Sequence, residues 1–157
     1  MEKTTFSGWH LMLDAVVRDP GWIADPEQIR SFLLGLIPRL DMELLDGPRI
    51  TEVDLDPSQI SSESDEGGIT GYALITTSHL SIHTWPLRQR FCLDVFSCRR
   101  FDPDVVVEYA REEFGMVSQR VHWVERRWPD APESDSVPLE LSGSGCGVDE
   151  AELFRDS

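Results

Sequence analysis

Three strand-like runs crowd the middle of this chain: residues 71–77, 80–85 and 91–98. Each mixes β-branched, aromatic and other apolar side chains, and only short breaks separate them. A parallel crossover needs a dozen or more residues, so these runs have to double back on one another. They specify an antiparallel meander, and the remaining elements must cover it.

Upstream, residues 9–17 (WHLMLDAVV) have strand composition, and a further strand lies within 42–53, interrupted by Asp46-Gly47-Pro48. Between them, Asp25-Pro26-Glu27-Gln28 has the form of a helix start. Asp25 can cap, Pro26 suits the first turn, and Gln28 stands at the capping-box position. Ile29, Phe32, Leu33 and Ile37 follow at helical spacing and give that helix one apolar face. Downstream, Phe101-Asp102-Pro103 opens a second helix capped by Asp102, with an apolar stripe of Val106, Tyr109, Ala110 and Phe114 and with Gly115 as its stop. Residues 117–128 alternate and form the last strand.

The order β-α-β-β-β-β-α-β predicts an α+β fold. It is a two-layer α/β sandwich, an antiparallel sheet with helices on one face. The other face is left to solvent or to a second copy, so sheets pairing in a homodimer are expected.

Two segments do not fit a core. Residues 54–68 form a polar loop containing SSESDEGG, and from Pro129 onward the chain is rich in Pro, Ser, Gly and acid. The chain therefore divides into a folded domain, 1–128, and an acidic, mobile tail, 129–157, with a short terminal helix at 148–154. The formal net charge is −15, which argues against nucleic acid, because phosphate binding needs a basic face. It suits solubility first, and attraction of cations second. No run is apolar enough to cross a membrane and no signal-type stretch follows the first residues. With three cysteines in no disulfide framework (Cys92, Cys98 and Cys146), the expectation is a cytoplasmic protein.

Reactive side chains concentrate in TTSHLSIHTWP, residues 76–86, and in the following FCLDVFSC. Strand alternation places Ser81, His83 and Trp85 on one face and Leu80 and Ile82 on the other. Hydroxyl, imidazole and indole on one face suit a site wall. A solvated strand face with an incidental histidine accounts for the same spacing. His79, His83, Cys92 and Cys98 match no zinc spacing, so no metal is expected. A serine hydrolase built from Ser78 or Ser81, His83 and Asp94 lacks the nucleophile elbow.

SHLSIHTWP followed by LDVFSC closely resembles the signature of the prokaryotic S-adenosylmethionine decarboxylases, in which ESHxSIHTWPE precedes DVFTC. HLMLDAVV resembles the first strand of that family, FDPDVVVEYAREEFG its second helix, and GITGYALITTS the strand that leads into its cleavage site. The resemblance implies a precursor that cuts itself between Thr77 and Ser78. Ser78 would attack the Thr77 carbonyl, and after β-elimination and hydrolysis it would become a pyruvoyl group, the self-derived cofactor. By position, His83 and Thr70 would serve this processing. The pyruvoyl group would then form a Schiff base with an α-amino acid substrate and draw electrons as carbon dioxide leaves. Cys98 matches the cysteine that returns the proton; Cys92 has no counterpart role and is assigned to packing. Such an enzyme would be a carboxy-lyase of polyamine biosynthesis.

The chain departs from that pattern in three places. Thr77 replaces a glutamate before the cleaved serine. Leu87 stands where a glutamate would hold the ribose hydroxyls of S-adenosylmethionine. SDEGG stands where an aromatic would stack on adenine, although Trp85 remains on the other side of the stack. Loss of nucleoside contacts raises L-ornithine or L-arginine as alternative substrates, with Glu66, Glu63 and Asp65 facing a distal cation. An unprocessed, non-catalytic paralogue acting as a binding partner is the remaining alternative.

Overall fold

A computed structural model of the chain describes residues 6–53 and 67–129. They form β1 (Phe6–Val17), α1 (Pro26–Arg39), β2 (Leu44–Val53), β3 (Gly68–Ile75), β4 (Ser78–Trp85), β5 (Arg90–Ser97), α2 (Pro103–Phe114) and β6 (Met116–Arg127). The element order is the one expected from the sequence. The boundaries of the meander move: β3 begins at Gly68 and stops at Ile75, Thr76 and Thr77 make the turn, and Ser78 already opens β4. Glu63, Asp65, Glu66, Cys146 and the segment from residue 130 lie outside the described residues.

All six strands join one antiparallel sheet in the order β2-β3-β4-β5-β1-β6. The meander supplies β3, β4 and β5 in sequence. β1, first in the chain, is inserted between β5 and β6. α1 packs over β2 and β3, and α2 over β1 and β6, both on the same face.

Alternation sorts the side chains. Leu11 and Leu13 of β1, Leu80 and Ile82 of β4, and Leu93 and Val95 of β5 point toward the helices and are buried. The helices answer with Ile29, Phe32, Leu33 and Leu36 from α1 and Val106, Ala110 and Phe114 from α2. Phe32 stacks on Tyr109 with ring centroids 5.2 Å apart and lies 4.5 Å from Phe114. Each such apolar side chain contributes about 1.5–3 kcal/mol of transfer free energy on burial. The helices meet closely at Gly35, where a Cβ would run into the Tyr109 hydroxyl.

Both helix starts are capped as the sequence indicated. Asp25 accepts from the Glu27 N–H at 2.9 Å, and Asp102 from the Asp104 N–H at 3.0 Å. Gln28 departs from its expected role. Its side chain donates to Glu113 at 3.3 Å and ties α1 to α2, where a capping box would have turned it back to Asp25.

No described helix covers the second face of the sheet. All four histidines of the chain, His10, His79, His83 and His122, stand on it, with Asp14, Thr70, Ser81, Trp85, Cys92 and Asp94. No described helix is long and apolar enough to cross a membrane.

Candidate active site

One end of the open face is built around the Thr76-Thr77 turn. Tight return of β3 into β4 leaves Ser78 with φ +152°, a conformation that L residues rarely adopt. The Thr77 carbonyl accepts the backbone N–H of Cys98 at 3.0 Å. The Thr77 hydroxyl accepts from Ser97 at 2.9 Å, and the fully buried Ser97 oxygen accepts the Arg99 N–H at 3.0 Å. These bonds pin the Thr77–Ser78 peptide to the end of β5. The Ser78 hydroxyl and His79 Nδ1 share a 3.1 Å hydrogen bond. Cys98 lies one residue beyond β5 and is exposed, beside the same turn.

The other end of β4 carries the second group. Pairing of β3 with β4 sets Thr70 opposite His83, and Thr70 Oγ1 lies 2.6 Å from His83 Nδ1. The imidazole packs on Trp85, with ring centroids 4.2 Å apart. Burial lowers the His83 pKa below its ordinary 6.5, so the ring is neutral at pH 7. Leu87 sits in the one-turn helix after Trp85 and is 77% exposed. Beside Trp85 a cavity of about 750 Å³ opens, lined also by Asp14, Cys92, Arg90 and Arg120. Guanidinium groups there suit a carboxylate.

Cys92 is unlike Cys98. Its thiol donates to Asp14 at 3.1 Å, and burial together with the Asp14 and Asp94 carboxylates pushes its pKa up to about 12. It remains a neutral thiol at physiological pH.

The strand therefore brings Thr77, Ser78 and Cys98 together at one end, and Thr70, His83 and Trp85 at the other. Five residue steps along the extended strand take Ser78 to His83, roughly 17 Å. The hydrolase reading is not assembled: Asp94 pairs with His10 at 3.1 Å, and His83 is engaged by Thr70. Among the described residues, no three His, Cys, Asp or Glu side chains gather as a metal cage. Sequence reasoning missed Ser97 and the Cys98 N–H. The first stands in the motif FSC as an ordinary serine, and the second is a backbone group with no signature at all.

The family model for S-adenosylmethionine decarboxylase matches residues 9–127. The chain is 31% identical over 108 residues to the S-adenosylmethionine decarboxylase proenzyme of Pyrococcus furiosus, covering 68% of this chain and 69% of that protein. It is 25% identical over 148 residues to the S-adenosylmethionine decarboxylase proenzyme of Thermococcus kodakarensis, covering 89% and 95%. Its fold matches the crystal structure of the adenosylmethionine decarboxylase from Aquifex aeolicus with a TM-score of 0.60 and 25% identity, over 85% of this chain and 100% of that one. The matched span runs from β1 to the end of β6 and takes in both ends of the open face, so this chain belongs to the S-adenosylmethionine decarboxylase family, a family of carboxy-lyases.

Proposed function

We propose that this chain is a self-processing decarboxylase that makes its own pyruvoyl group from Ser78 and acts in the cytoplasm on an α-amino acid substrate in polyamine biosynthesis. The observation that carries the reading is the Thr77–Ser78 peptide. Its serine is held at φ +152° and its carbonyl is already hydrogen-bonded to the Cys98 N–H. A strained backbone of this kind costs about 1–3 kcal/mol, and breaking the peptide releases it. The N–H points at the oxygen on which negative charge develops when Ser78 Oγ attacks the Thr77 carbonyl carbon.

Collapse of that adduct breaks the C–N bond and forms an ester between Thr77 and the Ser78 oxygen. Loss of the Ser78 α-proton then expels residues 1–77 as a carboxylate and leaves a dehydroalanine. Water converts it to the keto group, with release of ammonia. A proton acceptor is needed for the first and third of these events, and neutral His83 steadied by Thr70 is suited to it. When formed, the pyruvoyl group supplies an electron sink for carbon dioxide loss. In this reading Cys98, exposed beside the same turn, returns a proton to the product.

His83 and Thr70 are too far along the strand to act on Ser78 of their own copy. A homodimer with open faces together resolves this. A two-fold axis lying between the sheets and running across the strands puts the Ser78 end of one copy against the His83 end of its partner. The 750 Å³ cavity beside Trp85 then adjoins the partner's cleavage site. In this arrangement residues 1–128 form the decarboxylase domain, and 129–157 lie outside it.

The relatives' names favour S-adenosylmethionine as substrate. Leu87 favours a second reading, because an exposed leucine cannot accept hydrogen bonds from ribose hydroxyls. L-ornithine or L-arginine would satisfy the same decarboxylation chemistry, with Glu66 a candidate partner for the distal cation. Mass spectrometry of purified wild type and Ser78→Ala tests the processing. We expect two chains and a pyruvoyl N-terminus from the first and one intact chain from the second. An intact wild type would overturn it. Carbon dioxide release from S-adenosylmethionine, ornithine, arginine and lysine then assigns the substrate.

A further inference from the structure

We propose that the acidic C-terminal segment, residues 130–157, docks within its own chain into an arginine-lined groove between the end of α1, the β5–α2 loop and β6. The charge of the molecule is unevenly spread. Of its net −15, seven negative charges belong to residues 130–157, which hold eight carboxylates and one base, Arg155.

The groove has a volume of about 570 Å³ and is lined by Arg39, Arg99 and Arg100, with Phe101, Val105 and Trp123 as apolar wall. Each guanidinium is fixed by a neutral neighbour. Arg39 donates to the Gly35 carbonyl at 2.7 Å and lies over Tyr109, Arg99 donates to the Asp41 carbonyl at 3.0 Å, and Arg100 lies over the Trp9 ring. None of the three is in an ion pair with a carboxylate among the described residues. The Asp41 and Asp102 carboxylates also border the groove, and that of Asp102 is occupied in capping α2. Three positioned cations whose hydrogen bonds and ring contacts are neutral are a receptor for acidic peptide.

The length of the segment allows it to reach the groove. β6 ends at Arg127, and Trp123 of the groove wall stands four residues earlier, roughly 13 Å back along the strand. A segment of 28 residues spans that distance several times over. Its composition fits the walls as well as the charges. In ESDSVPLEL, Val137, Leu139 and Leu141 alternate, so an extended peptide presents all three to one side behind Glu133 and Asp135. Arg99 and Arg100 directly follow Cys98, so a docked segment restrains the loop that carries it. The docking follows from the fold and does not depend on the decarboxylase reading.

Hydrogen–deuterium exchange of the full-length protein tests this at low and at high salt. We expect amides in residues 133–141 and in the 99–102 loop to exchange at least tenfold more slowly than unstructured peptide at low salt, and to lose that protection at high salt. A variant carrying Arg39→Gln, Arg99→Gln and Arg100→Gln should lose it too. So should one carrying Asp130→Asn, Glu133→Gln, Asp135→Asn and Glu140→Gln, which leaves the domain itself unaltered and decides the matter if the arginine variant misfolds. Tail amides exchanging at the unstructured rate in wild type, or protection that survives the acid-to-amide variant, would overturn the proposal. Protection that falls on tenfold dilution would overturn the placement within one chain.

Discussion

Ser78 and the two cysteines of β5 and its end show how position sets reactivity. Cys92 and Cys98 are six residues apart in one motif, yet the first donates to Asp14 with its pKa pushed up to about 12 and the second is exposed. Iodoacetamide at pH 8 should therefore label Cys98 and leave Cys92 unmodified, as read by peptide mass mapping. Labelling of Cys92 at a comparable rate would contradict the Asp14 bond. Cys98→Ala should still divide into two chains but should lose productive decarboxylation, because in the proposed mechanism peptide rearrangement and proton return use different groups. His83 gives a pH dependence with a definite sign. Its folded pKa lies below 6.5 because burial disfavours the imidazolium, so the neutral, proton-accepting form persists as pH falls through 6.5. Self-processing should decline on acidification with a midpoint below pH 6.5. A decline centred above 6.5 would mean that another group controls the step. Stability follows the same linkage: below about pH 6.5 the unfolded chain takes up this proton first, and the contribution is lost with further acidification.

At the scale of elements, the helix layer and the β3–β4 hairpin bear different loads. α1 is held to α2 through Phe32, which is fully buried between Tyr109 and Phe114. Phe32→Ala should cost about 3–5 kcal/mol, the usual range for emptying an aromatic site in a core. Chemical denaturation should show it as a lower midpoint with an unchanged slope. The hairpin depends on a buried polar contact, since Thr84 Oγ1 accepts the Ile69 N–H at 3.0 Å. Thr84→Val conserves shape and strands that donor, which should cost about 1–3 kcal/mol. Both substitutions lie on the helix side of the sheet. Neither should alter which residues are cleaved once the chain has folded.

For the whole molecule, the distance along β4 is decisive. Ser78 and His83 are roughly 17 Å apart on one extended strand, so the proposed processing, in which His83 acts on Ser78, calls for two copies. Co-expression of Ser78→Ala with His83→Ala should then restore what each lacks. Mixed dimers keep one site with a native Ser78 from one copy and a native His83 from the other, and about half the dimers should be mixed. Cleaved chains should appear only in the His83→Ala copy. Absence of any cleavage in the mixture, with dimers present by light scattering, would refute the shared site.

How much of this was legible in the sequence differs by kind of information. Local chemistry was legible. Asp25-Pro26 and Asp102-Pro103 announced their helices, because a capping carboxylate and a proline at the first turn act within a few residues. Short breaks forced the meander, and alternation along SHLSIHTW sorted its faces correctly, because side-chain direction in a strand has period two. The motif itself carried the family. Tertiary structure alone decided the rest. Nothing in the sequence indicated that β1 inserts between β5 and β6, since those pairings join residues 74 to 121 positions apart. Gln28 passed for a capping residue because its true partner, Glu113, is just as distant. The Cys98 N–H on the Thr77 carbonyl could not be read at all, because every residue but proline has that donor and only the folded backbone aims it. Residue identity fixed which groups were available, and long-range pairing fixed where they meet.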